Sequence, residues 1–292
     1  MSTESKVRGV KHLVYGHRQQ EGGGFTVRRP LPTAGLQLAD PFLLIDELGP
    51  VDYAPGGAIG APDHPHRGFE TVTYVLEGEG EHEDSAGHRG VIRPGGVQWM
   101  TAGAGVVHSE MPSRRLQQEG GRMHGFQIWV NLPKRLKLTP PRYQEVGPEK
   151  IPTARSADGK ATVRVIAGEA LGARAAIDTH TPIVYQDWSL EPGADVTTPL
   201  AAGHTGLVYV FQGAVEVGEL PQPVRDGQLA VLGDGELVRL RASAPARLLL
   251  LGGAPLHEPV ARYGPFVMNT AEEIHQAMAD YQAGRMGQIA RG

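Results

Sequence analysis

Two short pairs of residues carry the chemistry in this chain: His64 and His66, then His108 and Glu110. On a β-strand, residues i and i+2 point to the same face, so each pair shares a face of its own strand. If those faces oppose each other, three imidazoles and one carboxylate converge on a point. Such a donor set has no thiolate and suits Fe(II), Mn(II), Ni(II), Cu(II) or Zn(II). A closed structural zinc would be four-coordinate and tetrahedral. A six-coordinate iron with the same four ligands leaves two adjacent positions for water, substrate or O2. A single His-x-His is a weak signal; here the weight comes from two strand-spaced pairs flanking one β-meander. Glu70 has the same parity as His64 and His66, so spacing leaves Glu70 and Glu110 both open as the carboxylate. His12, His17, His82, His88, His180, His204, His257 and His275 lack a partner at ligand spacing and read as solvated or structural.

The elements that must position these pairs are short. Runs rich in Val, Ile, Leu, Thr and Tyr recur at Phe42–Ile45, Thr71–Leu76, Phe126–Val130, Thr162–Ile166, Gly206–Phe211, Gln228–Leu232 and Arg247–Leu251. Gly (40) and Pro (23) punctuate them, which predicts an all-β chain built as sandwiches or barrels. One long helix is expected, over residues 271–283. Thr270 and Glu273 form a capping box, Ile274, Ala277, Met278 and Tyr281 make an apolar stripe, and Gly284 supplies the stop. Such a helix needs a surface to dock on, and a sheet face is the expected one. Pro133, Pro140, Pro141 and Pro148 interrupt the strand patterns, so a linker is placed at 135–146. It separates a metal-binding domain, 1–134, from a second domain, 147–292.

An internal repeat supports two domains of one kind. Tyr74-Val75-Leu76-Glu77-Gly78 followed by Glu81 matches Tyr209-Val210-Phe211-Gln212-Gly213 followed by Glu216. Pro94-Gly95-Gly96-Val97-Gln98 corresponds to Asp226-Gly227-Gln228-Leu229-Ala230, with a spacing three residues different. Counted from Tyr209, the positions of His64 and His66 fall on Pro199 and Ala201, and Leu237–Leu240 occupies the strand of the later pair. The second half keeps the scaffold without the ligands, so one metal per chain is expected.

Composition bounds the remaining classes. The 292 residues are 40% hydrophobic and 21% charged, with a net charge of −4 and no basic run that argues for nucleic acid or an anionic membrane. No apolar run approaches the ~18 residues of a membrane span. Met1 to Tyr15 lacks the apolar region of a signal peptide. There is no cysteine, which removes disulfides, thiolate metal sites and cysteine nucleophiles and fits a reducing cytosol. A cytoplasmic protein is the expectation.

The same residues resemble the cupin superfamily and, more closely, the pirin family of bicupins. The match runs through Asp63-His64-Pro65-His66-Arg67-Gly68-Phe69-Glu70-Thr71-Val72, His82-Glu83-Asp84 and Gly87-His88. It continues in Gln98-Trp99-Met100-Thr101-Ala102-Gly103, His108-Ser109-Glu110-Met111-Pro112 and Gly125-Phe126-Gln127-Ile128-Trp129-Val130-Asn131-Leu132-Pro133. It ends in Gly264-Pro265-Phe266-Val267-Met268-Asn269-Thr270. The resemblance implies two tandem cupin β-sandwich barrels facing each other, the N-terminal one alone holding a metal, usually Fe(II). Its ligands would be His64, His66, His108 and Glu110, which selects Glu110 over Glu70 and leaves Glu70 as a residue beside the site. It implies an iron-dependent dioxygenase that cleaves flavonols such as quercetin with O2 and releases CO. Glu110 would be both ligand and proton acceptor, and Trp99, Met100 and Phe126 candidates to line an aromatic pocket. The competing implication is a redox-responsive regulator acting through protein partners.

Overall fold

A computed structural model describes residues 5–291 and shows an almost entirely β chain with one long helix, Ala271–Gln282. All seven apolar runs named above lie inside strands. The contacts divide the chain into two compact units, neither of them a continuous piece. One holds the chain up to His17, Pro30–Pro41 and Glu149–Pro255; the other holds Arg18–Arg29, Phe42–Pro148 and everything from Leu256 onward. This departs from a simple split around a linker at 135–146. Strand Val10–Tyr15 pairs with Gln228–Leu232, and Arg142–Val146, inside the expected linker, is an edge strand paired with Val97–Thr101. Prolines at an edge strand's margins cost no ladder hydrogen bonds, so they mimic a linker in sequence.

Each unit is a sandwich of a seven-stranded and a four-stranded antiparallel sheet. In the unit containing the His pairs, the four-stranded sheet runs Ala61–His66, Val106–Pro112, Gly80–Asp84, Arg89–Ile92. The large sheet is built around Val97–Thr101, Phe69–Glu77, Gly121–Asn131 and Phe42–Tyr53. The other unit repeats this order. Its small sheet runs Ala194–Pro199, Leu237–Ala242, Ala214–Val217, Gln222–Arg225, and its large sheet is built around Gln228–Leu232, Thr205–Gln212, Ala246–Gly253 and Ile183–Leu190. Tyr74 lies opposite Val97 and Tyr209 opposite Leu229, so the repeat read from sequence is a repeat of register.

The two interiors differ in chemistry. In the unit holding Glu149–Pro255, the small-sheet strand Ala194–Pro199 alternates between buried and exposed, while the large-sheet strands Thr205–Gln212 and Ala246–Gly253 are buried almost throughout. Their inward residues, among them Val208, Val210, Val217, Val238, Leu240, Leu248 and Leu250, form one apolar core. Register within each unit identifies the counterpart of each residue in the other. His108 pairs with His64 and Glu110 with His82; Val238 pairs with Thr198 and Leu240 with Val217. Thr73 pairs with Gln127 where Val208 pairs with Leu250. Six inward polar residues, His66, Thr73, His82, His108, Glu110 and Gln127, are thereby replaced by Leu200, Val208, Val217, Val238, Leu240 and Leu250. The counterparts of the first His pair are Thr198 and Leu200, not the Pro199 and Ala201 obtained by counting. The turn entering the next strand is one residue longer in the second copy, and counting through a turn loses the register.

The terminal helix forms as expected. Thr270 caps it through the Glu273 amide at 3.2 Å, and the Glu273 carboxylate reaches back to the Thr270 amide at 3.2 Å. Its buried residues Ile274 and Ala277 pack in one cluster with Val107, Phe266, Met268 and Met286. Among the described residues no helix is long and apolar enough to cross a membrane.

Candidate metal centre

His64 and His66 end one strand of the small sheet, and His108 lies directly opposite His64 on the next. The three imidazoles meet with ring centroids 4.3–4.9 Å apart, and one ring nitrogen from each falls within 4.8 Å of the others. Among the described residues no second such group of histidine and carboxylate side chains occurs. Backbone carbonyls set the tautomers. His64 Nδ1 donates to the Pro62 carbonyl at 2.7 Å, and His66 Nδ1 donates to the Pro265 carbonyl at 3.3 Å. A carbonyl only accepts, so in each neutral ring the proton sits on Nδ1 and Nε2 keeps its lone pair. Those two bare nitrogens face each other at 3.1 Å. Both ring nitrogens of His108 are buried without a partner. Lone pairs aimed at one another in a buried place are unfavourable unless a cation sits between them, and carbonyl-held Nδ1 atoms are how proteins orient imidazole ligands. The residues present fit a divalent metal.

The C-terminal segment completes this arrangement, a contribution the strand-spacing argument missed. Beyond the Pro265 carbonyl, Arg67 forms a partly buried ion pair with Asp280 of the helix at 2.7 Å. Gly68, at φ +88, lies so close to the Val267 carbonyl that a Cβ there would sit 2.0 Å from its oxygen. Only glycine permits that approach. The Lys137 ammonium donates to Gly68 O, Asn131 Oδ1 and Val267 O at 2.7–2.9 Å. The one sequence signal for any of this was the resemblance of the 264–270 segment.

Glu110 faces the interior as its spacing with His108 predicts, yet it stands outside the three-histidine group. A bulge between His108 and Glu110 sets Glu110 opposite Ala61. Its carboxylate takes the Thr73 hydroxyl at 2.7 Å, with Gln127 Nε2 at 3.4 Å, both from the opposite sheet. Glu70 is on the other face of that sheet from Thr73, fully buried and bonded by the Thr101 hydroxyl at 2.7 Å. Parity cannot be carried from His66 to Glu70, because the turn at Gly68 starts a new strand. The same alternation sends Trp99 and Phe126 to the far face, where Phe126 stacks with Tyr74. Met100 packs with Ala102 and Val106. All three are core residues. Trp129, three positions beyond Phe126, and Phe69 are the aromatics beside the histidines, 5.1 and 5.0 Å from the His66 ring.

Comparison with known proteins agrees with this geometry. The family model described as Pirin matches residues 24–130, and that described as Pirin C-terminal cupin domain matches residues 185–287. The Homo sapiens protein named Pirin is 45% identical over 279 residues, covering 94% of this chain and 92% of that protein. The chain belongs to the pirin family. A crystal structure titled quercetin 2,3-dioxygenase from Acinetobacter baumannii matches with a TM-score of 0.91 at 39% identity, covering 97% of this chain and 100% of that one. An Escherichia coli bacterial pirin, YhhW, solved in complex with nickel(II), shares the fold at 21% identity and a TM-score of 0.64, over 84% of this chain and 99% of that one.

In this pirin-family chain the two units are thus cupin domains, and the histidine cluster opens on a pocket of about 570 Å3. Glu110, Gln127, Trp129 and Arg262 share its walls with His64 and His66. That volume is in the range of small-molecule sites. His82 does not join the cluster, although its ring is 5.3 Å from His108. Asp84 and Gln98 occupy its two nitrogens at 3.2 and 2.7 Å, the satisfied structural histidine expected of it.

Burial, followed by the neighbouring imidazoles, holds His66 and His108 well below the usual histidine range. A histidine with a lowered folded-state pKa leaves the unfolded chain binding more protons. Stability is therefore full above the ordinary value of about 6.5 and falls as pH drops below it. Denaturant titrations of the metal-free protein between pH 7 and 5.5 should show a loss approaching about 1.4 kcal/mol per pH unit for each histidine. The slope should shrink when His108 is replaced; a flat profile would refute the burial argument.

Proposed function

We propose that this chain is an iron-dependent dioxygenase that cleaves flavonols such as quercetin with O2, by 2,3-dioxygenation with release of CO. The observation that carries the reading is the three-imidazole cluster with bare nitrogens, opening on an aromatic-walled pocket. Similarity to a protein titled quercetin 2,3-dioxygenase supports it. His64, His66 and His108 would hold one Fe(II), with Glu110 as fourth ligand; Mn, Ni, Cu or Zn suit the same donors. A bound divalent metal supplies the Lewis acidity that lowers the pKa of a coordinated hydroxyl. Glu110, held between Thr73 and Gln127 at the pocket wall, accepts the proton of the flavonol 3-hydroxyl. Trp129 stands on the pocket wall beside the His66 ring, where the substrate's aromatic body would pass. The proposed location is the cytoplasm. Quercetin mixed with the iron-loaded protein should persist without O2 and disappear, with CO evolved, when O2 is admitted. Loss of quercetin under anaerobic conditions would overturn the reading.

A second reading, a metal-responsive regulator acting through protein partners, is favoured by one feature. His66 leans on the Pro265 carbonyl, and the adjacent Arg67 on Asp280 of the terminal helix, so ligand geometry is tied to that helix. His66→Ala separates the two readings: lost flavonol turnover with intact partner binding supports the enzyme.

A further inference from the structure

We propose that Arg262 reads a negative charge on the substrate, so that the preferred ligand of the metal pocket is a planar aromatic acid. Such a ligand is a ring system bearing a carboxylate in addition to its metal-binding oxygens. The inference deepens the dioxygenase reading and rests on it for the chemistry of those oxygens.

Two arginines line the pocket, and they differ in commitment. Arg29 is spent: it grips Asp46 with two hydrogen bonds at 2.7 and 2.5 Å and meets Glu21 at 2.7 Å. Arg262 donates once, to the Leu43 carbonyl at 3.1 Å, and makes no ion pair among the described residues. A guanidinium carries five N–H donors, so most of this one's remain available. Its position is anchored all the same, because the guanidinium carbon lies 4.8 Å from the Trp129 ring centroid, over the ring. The Trp129 ring is in turn 5.1 Å from the His66 ring. Cation, indole and metal-binding imidazole are therefore three successive neighbours along one wall.

That order matches one kind of ligand. Oxygens at the histidine cluster, an aromatic body filling the pocket between, and an acidic group at Arg262 would follow one another along that wall. A guanidinium with free N–H donors offers the forked geometry that suits a carboxylate. A neutral ring would use the first two features and leave the third idle. The hairpin Ala261–Tyr263 and Phe266–Met268 that carries Arg262 also supplies the Pro265 carbonyl to His66, so cation and metal ligand share one support.

Binding rather than turnover tests the proposal. The nickel-loaded protein, kept free of O2, is titrated calorimetrically with quercetin and with ring-sulfonated quercetin, which carries a fixed negative charge. The sulfonated compound should bind about tenfold more tightly at low ionic strength, with the preference shrinking as salt is added. In Arg262→Gln the two affinities should fall within about twofold of each other, and Arg262→Lys should keep part of the preference. Equal affinities in the native protein, or a preference that survives Arg262→Gln, would overturn the inference. A charge preference without aerobic quercetin turnover would sink the dioxygenase reading and leave Arg262 as the acid-reading residue; turnover without the preference would do the reverse.

Discussion

Replacing His108 by alanine is expected to lower divalent-metal affinity by at least about a hundredfold, the upper end of what loss of a mere supporting group costs. His108 is the member of the cluster with nothing else to do. It is fully buried, both ring nitrogens lack hydrogen-bond partners, and it sits opposite His64 across the ladder. The same feature limits the cost in the metal-free protein. No hydrogen bond is lost, and removing two unsatisfied polar atoms offsets part of the cavity left behind, so the expected destabilisation is about 2 kcal/mol or less. Metal titration and denaturant unfolding on the same preparation check both halves. A variant that binds metal normally would show that the histidine cluster is not the metal centre.

Lys137→Met is expected to destabilise the protein by about 3–5 kcal/mol, which for a chain of this size is a fall in Tm of roughly 10 °C. The volume is nearly conserved, so the loss is polar. Burial pulls the Lys137 ammonium down to about 8, which leaves it protonated at neutral pH. It then satisfies three oxygens, from the Gly68 turn, the end of strand Gly121–Asn131 and strand Phe266–Met268. Methionine would strand all three in a buried place. Because one of them belongs to the turn just after His66, metal affinity should weaken along with Tm. Calorimetric unfolding with and without metal reads both effects; a Tm shift below about 2 °C would show that water replaces the ammonium there.

The sequence alone determined the all-β class, the repeat, the capped terminal helix and the three histidines. Each of these depends on local pattern: strand periodicity, a capping box, or an i, i+2 pair on one face. It also showed that the second half lacks the ligands, although counting misplaced their counterparts by one residue.

Tertiary structure decided what local pattern cannot carry. Glu70 shares a parity with His64 and His66, but the turn at Gly68 starts a new strand in the other sheet, on whose far face Glu70 is buried, while Glu110 stays in the small sheet past a bulge. Trp99, Met100 and Phe126 were the candidates to line the pocket and Trp129 lines it instead, because alternation says that two faces exist without saying which is inside. Which piece of chain belongs to which cupin domain depended on pairings between residues hundreds of positions apart, such as Val10–Tyr15 with Gln228–Leu232. The support of His66 by Pro265 was likewise invisible, since a backbone carbonyl leaves no mark on residue type. Spacing along a strand therefore named the imidazoles, while long-range hydrogen bonds and packing oriented them and shaped the pocket they face.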